Sequence, residues 1–206
     1  MANCCEDKAC ELDALGKRQR HVLQIVLVIN ALMFFVESGA GLIARSTALL
    51  ADSLDMLGDA LVYGFSLWVI TRDQRWRAIA ALLKGLIMAA FGIVVLLEVL
   101  DKLFEPVLPI APVIGTVGFI ALAANSVCLV LLLRHRHDDI NMRSTWLCSR
   151  NDIIANVSVL AAAGGVAVSG SMWPDVIVGL GIALLFLHSA IHVLKQSVIE
   201  LQVRHD

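Results

Sequence analysis

The sequence predicts an all-α, polytopic membrane protein with six transmembrane helices and both termini in the cytoplasm. Three observations predict it. The chain is 59% hydrophobic with a mean hydropathy of +0.82, too apolar for an ordinary soluble domain. Its apolar residues gather into six runs, each near the roughly 20 residues that cross a bilayer as a helix. Its basic residues fall almost entirely on one side of the resulting topology.

Residues 1–20 are polar and read as a cytosolic tail carrying Cys4, Cys5 and Cys10. They have neither the apolar core nor the small-residue cleavage site of a signal peptide. The first span runs from about 21 to 44 and contains Asn30 and Glu37, which must face protein rather than lipid. Arg45 and Ser46 make a short turn. The second span extends to about residue 71, and TRDQRWR connects it to the third, at about 78–100, which holds Lys84. DKLFEPVLP follows, where Pro106 and Pro109 break any helix. The fourth span, about 110–133, contains Asn125. RHRHDDINMR leads to the fifth, about 144–168. GSMWPD then turns the chain into the sixth, about 176–194. The transmembrane domain is thus residues 21–195, with 196–206 as a short cytosolic tail.

Of the 16 Lys and Arg residues, Arg45 and Lys102 alone are assigned to the far side, and Lys84 and Arg150 lie within spans. The remainder flank the termini and the even-numbered connectors. The positive-inside rule therefore puts the termini in the cytoplasm. A net charge of −2 carries no message about nucleic acid. Five cysteines spread over tail and spans do not form a disulfide framework and read as reduced thiols. Small residues at Ala161, Ala162, Ala163, Gly164 and Gly165, and at Gly179 and Gly181, mark close helix packing.

Within this frame, residues 46–59, STALLADSLDMLGD, place three carboxylates in an apolar segment. Asp55 and Asp59 are one helical turn apart, and Asp52 precedes them by three and seven, so all three share a helix face. A charged residue in a span costs roughly 2.5 kcal/mol or more on insertion scales, and such residues pair, line a wet cavity or bind an ion. The fifth span answers with WLCSRNDIIAN, where Cys148 and Asp152 are again four apart. Antiparallel second and fifth spans bring Asp55, Asp59, Cys148 and Asp152 to similar depth. Four O and S ligands suit a tetrahedral divalent ion such as zinc. The plain alternative is isolated polar residues satisfied by neighbouring helices.

At these residues the chain resembles the cation diffusion facilitators, six-span exporters of zinc and related divalent metals. The resemblance starts with Asn30, Phe34, Glu37 and Gly41, and continues through Ser46 and 48–52, ALLAD. It reaches the second-span motif, His or Asp, three residues, then Asp, here Asp55 and Asp59. In the fifth span the family carries His or Asp four residues before Asp, and here the pair is Cys148 and Asp152. PDVIVGLGIALLFLHSAIHVLKQS in the sixth span has the family look as well. The resemblance covers nearly all of residues 20–200. It implies secondary-active efflux of a divalent metal and a homodimer, and the short loops are compatible with a bacterial inner membrane. Cys148 departs from the family's usual ligand. The sequence also stops soon after the sixth span, so it is expected to be a short form lacking the cytosolic C-terminal domain of many relatives.

The site chemistry read from the residues agrees. Metal binds deprotonated ligands, so protons and metal compete for the same groups, the minimum needed for antiport. Moving a divalent ion out against about 100 mV costs roughly 4.6 kcal/mol, and each entering proton returns about half of that. No G-x-x-x-x-G-K loop for ATP is present. The expected protein is therefore a secondary transporter, not an enzyme, with no resident cofactor. Its cargo is a divalent ion, zinc foremost, and cadmium or another soft ion because of the thiolate.

Other polar residues are candidates around this core. Asp52, Asn125 and Asn156 are candidates for the pathway, with Asp52 the alternative ligand if Cys148 only packs. For the asparagines, a helix–helix hydrogen bond is the alternative role. Cys4, Cys5, Cys10, His135 and His137 are candidates for capturing metal at the cytosolic mouth, against a solvated tail and a charged loop. His188 and His192 are either a second site or interfacial side chains. Two other functions compete: a membrane metal sensor or accessory protein without transport, and an intramembrane aspartyl protease using Asp59 and Asp152. The protease leaves the additional i, i+4 ligands unexplained.

Overall fold

The computed structural model describes residues 3–69, 74–133 and 140–202. Among them are six helices and no strand: α1 (Asn3–Ala44), α2 (Thr47–Val69), α3 (Gln74–Phe104), α4 (Ala111–Leu133), α5 (Ile140–Ser169) and α6 (Trp173–Gln202). The apolar parts of α1, α4, α5 and α6 are long enough to cross a membrane. α2 is equally apolar around its three aspartates. The chain is an all-α, multi-pass membrane protein, as the sequence predicts.

Local chemistry sets the ends. α1 closes where Arg45 takes a left-handed backbone, φ 51°, and the Ser46 amide returns to the Gly41 carbonyl at 2.9 Å. Ser46 then caps α2: its Oγ accepts the Leu49 amide at 3.1 Å. The Ile110 amide donates to the Ala44 carbonyl at 3.0 Å, so α4 begins beside this turn. α5 ends at Gly170, φ 59°, whose amide donates to the Val166 carbonyl at 2.9 Å. Pro174 sits in the first turn of α6, where its missing N–H costs nothing.

Several boundaries differ from the sequence reading: α5 starts at Ile140, within the segment read as a connector, and α6 runs on to Gln202 through most of the segment read as a tail. α1 runs back to Asn3 through the segment read as a tail. α3 continues to Phe104, so Lys102, read as a connector residue, lies in helix and is 2% exposed. A charged partner described below holds it there.

α2 is the central helix, touching α1, α3, α5 and α6, and none of its described residues is exposed. Large apolar side chains such as Leu32, Phe35, Val94, Phe119, Ile154 and Leu185 point outward, as lipid-facing positions do. Serines inside spans satisfy their hydroxyls on the preceding turn, as Ser126 does on the Leu122 carbonyl at 2.6 Å. Toward the α1–α2 turn the interior is an apolar cluster that includes Leu49, Leu54, Ile114 and Val159. Nearer the other end Val26, Tyr63, Cys128 and Leu132 form a smaller one. The polar centre lies between them.

Two glycine contacts set how α6 packs. A Cβ on Gly179 would lie 2.5 Å from the Thr47 carbonyl carbon and 2.7 Å from the Ala48 nitrogen, so only glycine lets α6 reach the start of α2. A Cβ on Gly165 would meet Pro174 at 2.7 Å. Gly164 and Gly181 have nothing within 4 Å, and there the close-packing expectation fails.

Candidate metal centre

Four helices supply the polar centre. The stripe of α2 presents Asp52, fully buried, and Asp55 and Asp59, both half-buried. At a rise of about 1.5 Å per residue the three span roughly 10 Å of the helix axis. α5 brings Asp152, 6% exposed, into hydrogen-bonding contact with Asp55. Asp59 lies within electrostatic reach of Asp55 and accepts a hydrogen bond from the Tyr63 hydroxyl at 2.8 Å. The antiparallel arrangement of α2 and α5 thus puts Asp152 in contact with Asp55, with Asp59 in electrostatic reach of Asp55.

The second level is built around Asp52. Asn156 donates from Nδ2 to both its carboxylate oxygens, at 3.1 and 3.0 Å. Asn125 on α4 donates in turn to Asn156 Oδ1 at 3.2 Å. The two asparagines therefore do make the helix–helix hydrogen bond that was their plainer role, and through it they fix one carboxylate of the stripe. All three side chains are essentially inaccessible.

Two residues of the centre were not named as site residues from the sequence, although Glu37 was read as facing protein. Glu37 of α1 is fully buried, within electrostatic reach of Asp52 and Asp55, and neither of its oxygens has a hydrogen-bond partner among the described residues. Gly41, one turn on, explains the approach: a Cβ there would sit 2.9 Å from Leu50, so α1 lies tight on α2. Cys128 of α4 is a buried free thiol within electrostatic reach of Asp59 and Asp152. Its position three residues after Asn125, on the same helix face, was the available clue.

Cys148 belongs to α5, but its side chain lies outside the described residues, as do those of Cys4, Cys5, Cys10 and His192. His135 and His137 are likewise outside them. Among the described residues, no three His, Cys, Asp or Glu side chains converge tightly enough to enclose a metal ion. The carboxylates that do converge offer oxygen donors alone.

A second polar assembly ties down the α1–α2 end. Asp175 of α6 accepts from Ser46 Oγ at 2.5 Å, from the Thr47 amide at 2.7 Å and from the Ala48 amide at 3.2 Å. Lys102 Nζ donates to Asp175 at 3.1 Å and to Thr47 Oγ1 at 2.6 Å. Asp175 thereby neutralises a buried lysine and caps the positive end of α2. This assembly is structural and stands apart from the acidic centre.

The architecture agrees with comparisons to known proteins. Residues 23–202 match the family described as "Cation efflux transmembrane domain". Among curated proteins, the chain is 22% identical over 197 residues to the "Cadmium, cobalt and zinc/H(+)-K(+) antiporter" of Bacillus velezensis, covering 89% of this chain and 63% of that one. It is 29% identical over 199 residues to the "Zinc transporter ZitB" of Pectobacterium atrosepticum, covering 87% and 60%. It is 23% identical over 195 residues to the "Metal cation efflux system protein CzcD" of Cupriavidus metallidurans, covering 85% and 62%. The chain spans about three-fifths of the length of these relatives. With a family match over nearly its whole length, on six helices joined through buried carboxylates, the chain belongs to the cation efflux family of membrane transport proteins.

Proposed function

We propose that the chain moves a divalent transition-metal cation, zinc foremost, out of the cytoplasm across a bacterial inner membrane in exchange for protons. Asp55, Asp59 and Asp152 hold the ion, and Cys148 completes its shell. The observation that carries this reading is the contact between Asp55 and Asp152, with Asp59 beside them, inside an apolar six-helix bundle. Two carboxyl groups in such contact hold a proton between them. A divalent cation bound to both displaces it, because the metal needs deprotonated ligands. That exchange links metal movement to proton movement at one place. The names of relatives, which include zinc, cadmium, cobalt and H(+), support the same class of cargo.

The topology proposed has both termini in the cytoplasm, from the basic-residue asymmetry. The α1–α2 turn and the Lys102–Asp175 assembly then face the outside. The functional unit is proposed to be a homodimer, as the family implies.

The test is metal-dependent proton flux in proteoliposomes holding the purified chain, with zinc, cadmium, cobalt, manganese and mercury compared. Zinc or cadmium gradients are expected to drive proton movement, and Asp59→Ala or Asp152→Ala is expected to abolish it in a chain that still folds. Normal flux in either variant, or no flux with any of these metals, would refute the assignment.

A further inference from the structure

Glu37 belongs to the polar centre but is not among the proposed ligands of the ion, and its chemistry is unfinished. It is fully buried, and among the described residues both Oε atoms lack a hydrogen-bond partner. Among the described residues the one ion pair is Lys102–Asp175, and that lysine is already held by Asp175 and Thr47. No described cation offsets Glu37. A carboxylate in this condition is expensive in a membrane unless it meets an ion.

Its nearest charged neighbours are carboxylates, Asp52 and Asp55. Asp52 is prepared rather than satisfied. One amide group, Asn156 Nδ2, serves both its oxygens, so each keeps a lone pair free. Asn125 holds that amide in the donating orientation. Asp52 is one turn nearer the α1–α2 turn than Asp55. Glu37 is seven residues from the end of α1, and Asp52 is five from the start of α2. Glu37 therefore lies between the levels of Asp52 and Asp55, and Asp52 is its stronger electrostatic neighbour. Gly41 against Leu50 sets the helix separation that brings them together.

We propose that Glu37 and Asp52 form a second divalent-cation station, one helical turn from the Asp55–Asp59–Asp152 site on the side of the α1–α2 turn. The proposal rests on the exporter reading and adds a stop to it. An ion leaving the first site toward the outside passes to two carboxylates from α1 and α2, with Asn125 and Asn156 keeping Asp52 in place. Both donors are oxygen, so this station is harder than a thiolate-bearing site and discriminates less in favour of cadmium over zinc. A soft ion held by a thiol thus moves onto ligands that grip it less, which favours release.

The experiment separates the two stations by breaking the first. The full chain carrying Asp152→Ala, in detergent, is titrated with zinc by isothermal calorimetry and equilibrium dialysis. The expected result is residual binding of one zinc ion at reduced affinity. Adding Glu37→Gln should remove that binding. Adding Asn156→Ala instead should weaken it by about tenfold, as loss of an orienting partner does. In an otherwise unaltered chain, Glu37→Gln should keep zinc binding at the first site and slow proteoliposome transport by about tenfold or more. Glu37→Gln is isosteric and removes a buried charge, so folding should survive; Asp52→Asn is the second variant if it does not. No zinc bound by Asp152→Ala, or binding untouched by both Glu37→Gln and Asp52→Asn, overturns the station. The exporter reading fails differently, by an absence of metal flux in the unaltered chain.

Discussion

Removing the Asp175 carboxylate should be among the costliest single changes in the protein. Asp175→Ala deletes the acceptor for Ser46 Oγ, for the Thr47 and Ala48 amides, and for Lys102. It leaves Lys102, 2% exposed, with Thr47 Oγ1 as its described partner. Breaking a buried ion pair from one side costs about 3–5 kcal/mol. Loss of the cap on two α2 amides adds about 1 kcal/mol, since Ser46 still serves Leu49. The total is about 4–6 kcal/mol. The shift corresponds to a fall in apparent melting temperature of roughly 10 °C or more for a chain of this size. The assay is size-exclusion chromatography of the detergent-solubilised chain after stepwise heating. Lys102→Met in the same background should restore part of the loss, because no charge is then stranded, and the two single effects should not add. An Asp175→Ala midpoint within about 2 °C of the unaltered chain, or strictly additive single effects, would refute the reasoning.

Three further outcomes are expected. Gly179→Val should destabilise by about 1–3 kcal/mol, because its Cβ meets the Thr47 backbone, whereas Gly181→Val should be neutral to within about 0.5 kcal/mol in the same heating assay; equal effects would contradict the close approach. Cys148→Ser should weaken transport of both zinc and cadmium, and Cys148→His should keep zinc while lowering the preference for cadmium. An unchanged affinity and ratio in Cys148→Ser vesicles would reduce Cys148 to packing and turn attention to Cys128 or Asp52. A membrane-impermeant maleimide should leave Cys4, Cys5 and Cys10 unlabelled in intact cells and label them after permeabilisation; labelling from outside would invert the topology.

The helices were legible because a bilayer leaves few alternatives. An apolar run of span length must be a helix there, so six runs give six helices. The carboxylate stripe was legible for a similar reason: Asp52, Asp55 and Asp59 share a face by spacing alone, and Asp152 has no plausible business in lipid without them. Glu37 was read as facing protein, but which protein depends on how close α1 comes to α2. A glycine against a leucine nine positions on, Gly41 and Leu50, fixes that across the α1–α2 turn, and the spacing within either helix does not show it. Lys102 and Asp175 were missed outright. Each looks like an ordinary residue at a span end, and their pairing joins positions 73 apart in sequence. Helical periodicity carries no information about such a contact.

The placement of the two apolar clusters has an electrical consequence. Membrane voltage falls across dry regions and hardly at all across wet ones. With an apolar cluster on either side of the carboxylates, the field divides between two seals, and the acidic centre sits at an intermediate potential. In the proposed export, an ion reaching it from either face would have crossed only part of the voltage, and the roughly 4.6 kcal/mol of electrical work on a doubly charged ion at about 100 mV would fall in two instalments. In that export, voltage should consequently act on both steps, the one from the cytoplasm to the carboxylates and the one from them to the α1–α2 end of the bundle.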